Sequence, residues 1–238
     1  SDVHLKLSED KNEKHRRNRF FQVLDKIKDT GGSCFFVGDL FDFYFEYTHL
    51  APKAFVDFYT KAMTLKKNGV KLYFLAGNHD YWVGNLIKEK IMDEVHLGDI
   101  QLNINGKRFF ITHGDGLLSW DHGYHLLKKV TRSRLFIWLF QLLHPTISYN
   151  IASHISKSGR KKERSIESKD RITKELEGIA KKHFKKGFDY MISGHYHLGK
   201  VIPIDEGKLL VLGDWFSKPS YAIFNGEDLV LKVLCEDN

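Results

Sequence analysis

Five short polar elements, each placed where an apolar strand gives way to a loop, constrain this 238-residue chain more than any other feature of its sequence. In order they are Asp2-x-His4, Gly38-Asp39-x-x-Asp42, Gly77-Asn78-His79-Asp80, His113-Gly114-Asp115 and Gly194-His195-x-His197. In open α/β sheets the ends of parallel strands converge on one rim, so residues distant in sequence come to face a common crevice. Residues i and i+2 of a strand point to the same side, which lets Asp2 act with His4 and His195 with His197. Glycine before Asp39, Asn78 and His195 is expected to permit unusual backbone angles at each turn.

The remainder of the chain supplies elements that could build such a rim. Residues 14–29 carry Phe20, Phe21, Leu24 and Ile27 at helical spacing and stop at Gly31-Gly32. A buried strand is expected over 34–37, a second helix over 52–67 and a strand over 70–76, the alternation of βαβ units. From residue 100 onward the pattern changes to hairpins: 100–104 with 108–112 across Asn105-Gly106, then runs near Val201, 209–212, 221–224 and 229–234. These imply a second sheet and a β-sandwich flanked by helices, an α/β fold. Between Thr112 and Tyr190 lies a segment of different composition, with an apolar stretch over 135–143, a basic run over 157–164 and a charged helical segment over 169–184. We expect a core of residues 1–118 and 186–238 and a helical insertion over 119–185.

Hard cations prefer oxygen ligands and imidazole favours later transition metals, so a mixed Asp, Asn and His set suits manganese, iron or zinc better than magnesium or calcium alone. A carboxylate bridging two such ions about 4 Å apart leaves room for a shared water acidic enough to supply hydroxide near neutral pH. The net charge of +7 and pI near 9.2 point to an anionic partner: phosphate, nucleic acid or an acidic lipid surface. Cys34 and Cys235, the two cysteines, are too far apart in sequence to suggest a disulfide framework, and a reducing compartment fits. No run of 18 apolar residues occurs, so no transmembrane helix is expected. The chain opens on Ser1-Asp2 without methionine and reads as the end of a strand whose apolar body lies upstream, so a trimmed start is expected.

From first residue to last, the five elements resemble the signature of the calcineurin-like metallophosphoesterases. The resemblance implies a four-layer αββα sandwich and two divalent ions, manganese first with iron or zinc as alternatives. It places one ion on Asp2, His4, Asp39 and His197 and the other on Asp39, Asn78, His113 and His195, with Asp39 as the bridge. Within that family His113-Gly114-Asp115, the insertion, Asp121 and Tyr124 are similar to the UDP-2,3-diacylglucosamine hydrolases, which release UMP and a diacylated glucosamine 1-phosphate. This implies a lipid-linked nucleotide as substrate, contacted by Asn78, His79, Asp121, Tyr124 and His195. It also implies an insertion that covers the acyl chains, no dedicated nucleic-acid partner, and a cytoplasmic protein peripheral to the inner membrane.

One departure stands out: the best-known members of that branch carry arginine where this chain has His79. A histidine there could donate a hydrogen bond or proton to a phosphoryl oxygen or leaving group, with Asp80 fixing its orientation. Asp42 and Asp80 are expected to orient histidines rather than to bind metal. Residues 135–143, behind Arg132 and Arg134, read either as a core helix or as a covering, membrane-facing element. The basic run reads either as a solvated face or as a clamp on a diphosphate, with Arg160, Lys161 and Arg164 as its contacts. His15, His49, His96 and His183 are expected at the surface. Other phosphodiesterases, nucleases or phosphatases share the five elements, whereas a non-catalytic membrane-bound relative would lack ligands, and none is missing.

Overall fold

A computed structural model describes residues 1–47, 49–151 and 166–234. Ten strands and five principal helices organise these residues: α1 (Lys11–Thr30), β1 (Ser33–Val37), α2 (Val56–Lys67), β2 (Lys71–Leu75), β3 (Glu94–His96), β4 (Ile100–Ile104), β5 (Lys107–Thr112), α3 (His122–Thr131), α4 (Arg134–Gln141), α5 (Ile166–Phe184), β6 (Tyr190–Ser193), β7 (Lys200–Ile204), β8 (Gly207–Val211), β9 (Ser220–Phe224) and β10 (Leu229–Val233). One sheet is parallel in the order β1-β2-β3. A second runs β4-β5-β6-β8-β7, with β5, β6 and β8 parallel and an antiparallel strand at each edge, and β9 pairs with β10 as a separate hairpin. Asp10 starts α1 by accepting the Glu13 N–H at 2.7 Å, and Gly31 ends it in the left-handed region.

Period-two alternation within the strands divides the interior into three apolar layers. Phe36 on β1 and Leu72 and Phe74 on β2 pack beneath Phe20, Leu24, Phe58 and Leu65 of α1 and α2. Their neighbours Val37 and Leu75 turn the other way and meet Phe109, Ile111, Ile192 and Leu210 between the sheets. On the far face of the second sheet, Phe110, Met191, Leu209 and Val211 pack against Ile172, Leu176 and Ala180 of α5. Helices, sheet, sheet and helix form the four layers. Asn105 and Gly106, both at positive φ, make the turn that joins β4 to β5.

Helix α5 therefore forms the outer layer of the second sheet rather than standing apart with the rest of the 119–185 segment. Its spacing of apolar residues reports an amphipathic helix but not which surface receives it. His183, expected at the surface, lies half-buried with its ring 3.8 Å from that of Phe110. By contrast α3, α4 and the helical residues 145–151 project over the strand ends. Phe140 of α4 is buried beside Phe45 and Trp82, while Leu135, Trp138, Leu139 and Leu142 are exposed, so residues 135–143 are neither a core helix nor wholly free. No helix among the described residues is long and apolar enough to cross a membrane.

These two environments give different costs for the same truncation. Leu176→Ala should destabilise the protein by about 2–5 kcal/mol, the usual cost of a cavity in a packed core. Leu139→Ala should fall within about 0.5 kcal/mol of wild type. Urea unfolding monitored by circular dichroism measures both.

Candidate metal centre

All five polar elements meet at one rim. β1 delivers Gly38-Asp39, β2 delivers Gly77 to Asp80, β5 delivers His113 and β6 delivers Gly194 to His197. Residues 2–5 run alongside the first of these, with Asp2 N donating to Gly38 O at 3.0 Å, His4 N to Asp39 O at 3.0 Å and Leu5 N to Leu40 O at 2.9 Å. Among the described residues seven non-glycine residues have positive φ, and five of them are Asp2, His4, Asp39, His195 and His197. Such conformations cost of order 1–3 kcal/mol each and persist only where the surroundings enforce them, most often at functional sites.

The glycines are required mainly by close approach. Gly38 does have φ 73°, but a Cβ there would also lie 2.3 Å from His113 Nδ1. Gly77 and Gly194 have no positive φ, contrary to the expectation from sequence. A Cβ on Gly77 would sit 2.2 Å from Asp39 Oδ1, and one on Gly194 would sit 2.9 Å from Asp2 Oδ2. Glycine lets the loops carrying the ligands touch.

Asp39 stands at the centre of the ligand set. Its Oδ2 lies 3.8 Å from His4 Nε2 on one side and 3.4 Å from His113 Nε2 on the other. Asp2 Oδ1 is 3.0 Å from His197 Nε2 and 4.0 Å from His4 Nε2, while Asn78 Oδ1 is 3.2 Å from His113 Nε2. Asp2, His4 and His197 thus form one donor group and Asp39, His113 and His195 another, each with its donor atoms within 4.8 Å of one another. His113 Nδ1 donates to the Val37 carbonyl at 3.1 Å, which leaves Nε2 as the ligating atom. His4, Asp42 and His79 also fall within that span, but the Nδ1 of His79 is engaged in donating to the Asp42 carbonyl at 2.7 Å.

Burial and neighbouring charges set the protonation of the donors. Burial lowers His4 to about 3, and burial together with the neighbouring His113 lowers His195 to about 3, so both imidazoles are neutral donors at pH 7. Burial opposes charge on His113 as well, but the hydrogen-bonded Asp39 carboxylate, with Asp2 and Asp115 behind it, pushes it up to about 10. Desolvation disfavours a charged Asp39, yet His113, His79 and His4 hold it well below the usual carboxylate range. Two buried carboxylates, an amide oxygen and four imidazoles fit two divalent ions, with Asp39 between them.

The orienting residues differ in part from expectation. Asp80 does not touch the His79 ring; its buried carboxylate accepts the backbone N–H groups of Asp39, Leu40, Phe41 and Gly77. The Asp42 carbonyl orients His79, while Asp42 Oδ1 lies 3.7 Å from His4 Nδ1. Asp121 caps α3 through the Tyr124 N–H at 3.2 Å, whereas Tyr124 donates its hydroxyl to Asp115 at 3.0 Å, its ring 5.8 Å from that of His195. Arg160, Lys161 and Arg164 lie outside the described residues. Sequence reasoning missed Asp214, 4.0 Å from His197 Nδ1, and the pair Lys128 and Arg132, which converge on Asp115. An i, i+4 pair of cations within the 119–185 segment was the only signal for the last two.

Beside the centre opens a cleft of about 230 Å³. Asn78, His79 and Tyr124 line its polar end, and Trp82, Phe136 and Phe140 its apolar end.

The sequence profile of the calcineurin-like phosphoesterases matches residues 1–199, and the chain belongs to that family of metal-dependent hydrolases. Among its relatives, a Porphyromonas gingivalis protein named UDP-2,3-diacylglucosamine hydrolase is 31% identical over 98% of this chain and 95% of its own length. A protein of the same name from Shewanella sp. strain W3-18-1 is 28% identical over 90% of this chain and 88% of its own. A solved archaeal phosphodiesterase aligns over 92% of this chain and 94% of its own at 14% identity, with a TM-score of 0.45.

Asp39→Ala should leave the protein folded but reduce the divalent metal bound per chain relative to wild type, as read by elemental analysis after gel filtration. A pH effect follows for chelator-treated protein. His113 is raised from 6.5 to about 10, so its contribution to stability is full below pH 6.5 and is lost as pH rises towards 10. The melting temperature of the metal-free protein should fall across that window, and His113→Gln should flatten the fall.

Proposed function

We propose that this chain hydrolyses the diphosphate of UDP-2,3-diacylglucosamine to UMP and 2,3-diacylglucosamine 1-phosphate, with manganese as its metal. The observation that carries the reading is the cleft with two chemical ends. Asn78 and His79 stand where a phosphoryl group would meet the metal centre, and Trp82, Phe136 and Phe140 offer an apolar surface a few residues away. Generic phosphodiesters have no use for such a surface. The names of the relatives support the same substrate.

When bound, the two ions supply an activated water and charge stabilisation. The chain's own residues do the rest. Asp39 lies between the two donor groups. His79, with Nδ1 spent on Asp42 O, keeps Nε2 for a phosphoryl oxygen or the departing group. In this reading the helices of residues 119–151 cover the acyl chains, while α5 serves the core. Exposed Leu135, Trp138 and Leu142 beside Lys129 and Arg134 support a peripheral position on an anionic membrane surface, at the cytoplasmic face of the inner membrane. No nucleic-acid partner is required.

Incubating the purified protein and manganese with the UDP-linked diacyl sugar should yield UMP. Absence of UMP together with brisk turnover of simple phosphodiesters would point instead to another metallophosphoesterase activity.

A further inference from the structure

Resting on that substrate reading, we infer that Arg132, supported by Lys128, is the anion subsite for the phosphate that departs with the acylated sugar. Among the described residues, Lys128 and Arg132 are the only lysine and arginine that line the cleft. Both reach Asp115, which accepts from Arg132 Nη2 at 2.6 Å and has Lys128 Nζ 3.0 Å from the same oxygen. Lys128 Nζ also donates to the Asp115 carbonyl at 2.6 Å, and the Tyr124 hydroxyl supplies a third partner for the carboxylate. Two cations thus share the Asp115 carboxylate beside Asn78 and His79, with the Asp42 carboxylate also on the cleft wall.

The guanidinium is held in place yet only partly used. It stacks on the Tyr81 ring, 4.2 Å from its centroid, and its Nη2 also lies 3.5 Å from Gly77 O. Its Nε and Nη1 donors make no hydrogen bond to the described residues. A planar fork with spare donors, fixed by stacking and by one ion pair, is suited to bind phosphate oxygens. It shares the cleft lining with Asn78 and Phe136, within reach of a sugar-linked phosphate whose acyl chains occupy the apolar end.

Charge develops at that phosphate during the reaction. The water oxygen bonds to the uridine-side phosphorus and releases its proton to solvent, and the bond from that phosphorus to the bridging oxygen breaks. The electron pair leaves on the bridging oxygen, which stays with the sugar phosphate and raises its negative charge. A preorganised guanidinium at this point stabilises the departing group.

The test compares affinity of the manganese-loaded protein for 2,3-diacylglucosamine 1-phosphate and for the same sugar without phosphate. Wild type should prefer the phosphorylated form, and Arg132→Gln should reduce that preference by about 10- to 100-fold, the scale of a charged hydrogen bond. Affinity for the phosphate-free sugar should stay unchanged, which also reports an intact cleft. Arg132→Lys, which keeps the charge, should recover part of the preference. Asp115→Asn removes the ion pair but spares the cation, so it should keep or raise the preference. An unchanged preference in Arg132→Gln overturns the inference, as does an equal loss in Asp115→Asn, which would make Arg132 a mere tether. Failure of wild type to bind either sugar would instead overturn the substrate reading beneath it.

Discussion

The arrangement of ligands depends on one carboxylate that binds nothing but backbone. Asp80 is fully buried, and its two oxygens accept N–H groups from Asp39, Leu40 and Phe41 of one loop and Gly77 of another. Burial and the nearby Asp39 charge raise its pKa to about 7, so the N–H groups are needed to retain the anion. Hydrogen bonds to a charged acceptor contribute about 1.5–3 kcal/mol each, comparable with the 1–3 kcal/mol or so that a left-handed Asp39 costs. The same loops are joined again where His79 N donates to Asp39 Oδ1 at 2.9 Å and Tyr44 N to His79 O at 3.1 Å. Asp39 can take its conformation because Asp80 holds both loops around it.

A second buried ionic group fixes the segment that carries His4. One edge of residues 2–5 pairs with the Gly38 to Leu40 backbone, and the other edge faces α1. There Arg16 Nη2 donates to His4 O at 2.8 Å, Glu13 accepts Lys6 N at 3.0 Å and Arg17 donates to Lys6 O at 3.0 Å. Glu13, Arg16 and Arg17 are all buried, and Glu13 pairs with both arginines. Replacing one member would leave its partner's charge desolvated and unpaired, a costly state. Helix α1 therefore contributes to the core with Phe20 and Leu24 and to the metal centre with its charged face.

This division marks what could be read from sequence. Strand alternation and the strand-end motifs pointed to the sheets and to seven candidate metal donors because both are written at short range: Phe109, Phe110 and Ile111 alternate visibly, and His195-x-His197 is self-contained. Asp80 was misread because its sequence neighbour is His79, whereas three of its four partners lie about forty residues upstream. Glu13, Arg16 and Arg17 carried no signal of their role, since charge in a helix does not reveal burial against a backbone edge. Asp121 looked like a substrate contact, but an aspartate at the start of a helix has a local use as its cap.

The insertion is tied down where it meets the metal loops, and that bears on how a substrate enters. Asp115, two residues beyond His113, is buried and compensated by Lys128 and Arg132; swinging α3 away would strand it without either cation. Trp82 Nε1 adds a bond to Thr131 O at 3.0 Å at the same end. The far end is also held, by the Tyr47 hydroxyl on Leu143 O at 3.0 Å and the Tyr149 hydroxyl on Phe45 O at 2.7 Å, but through neutral bonds worth about 1 kcal/mol each. There Phe140 of α4 is also buried beside Phe45 and Trp82, so apolar packing adds to these bonds. The polar end of the cleft is thus held by ionic contacts, with the exposed apolar residues of α4 beside it.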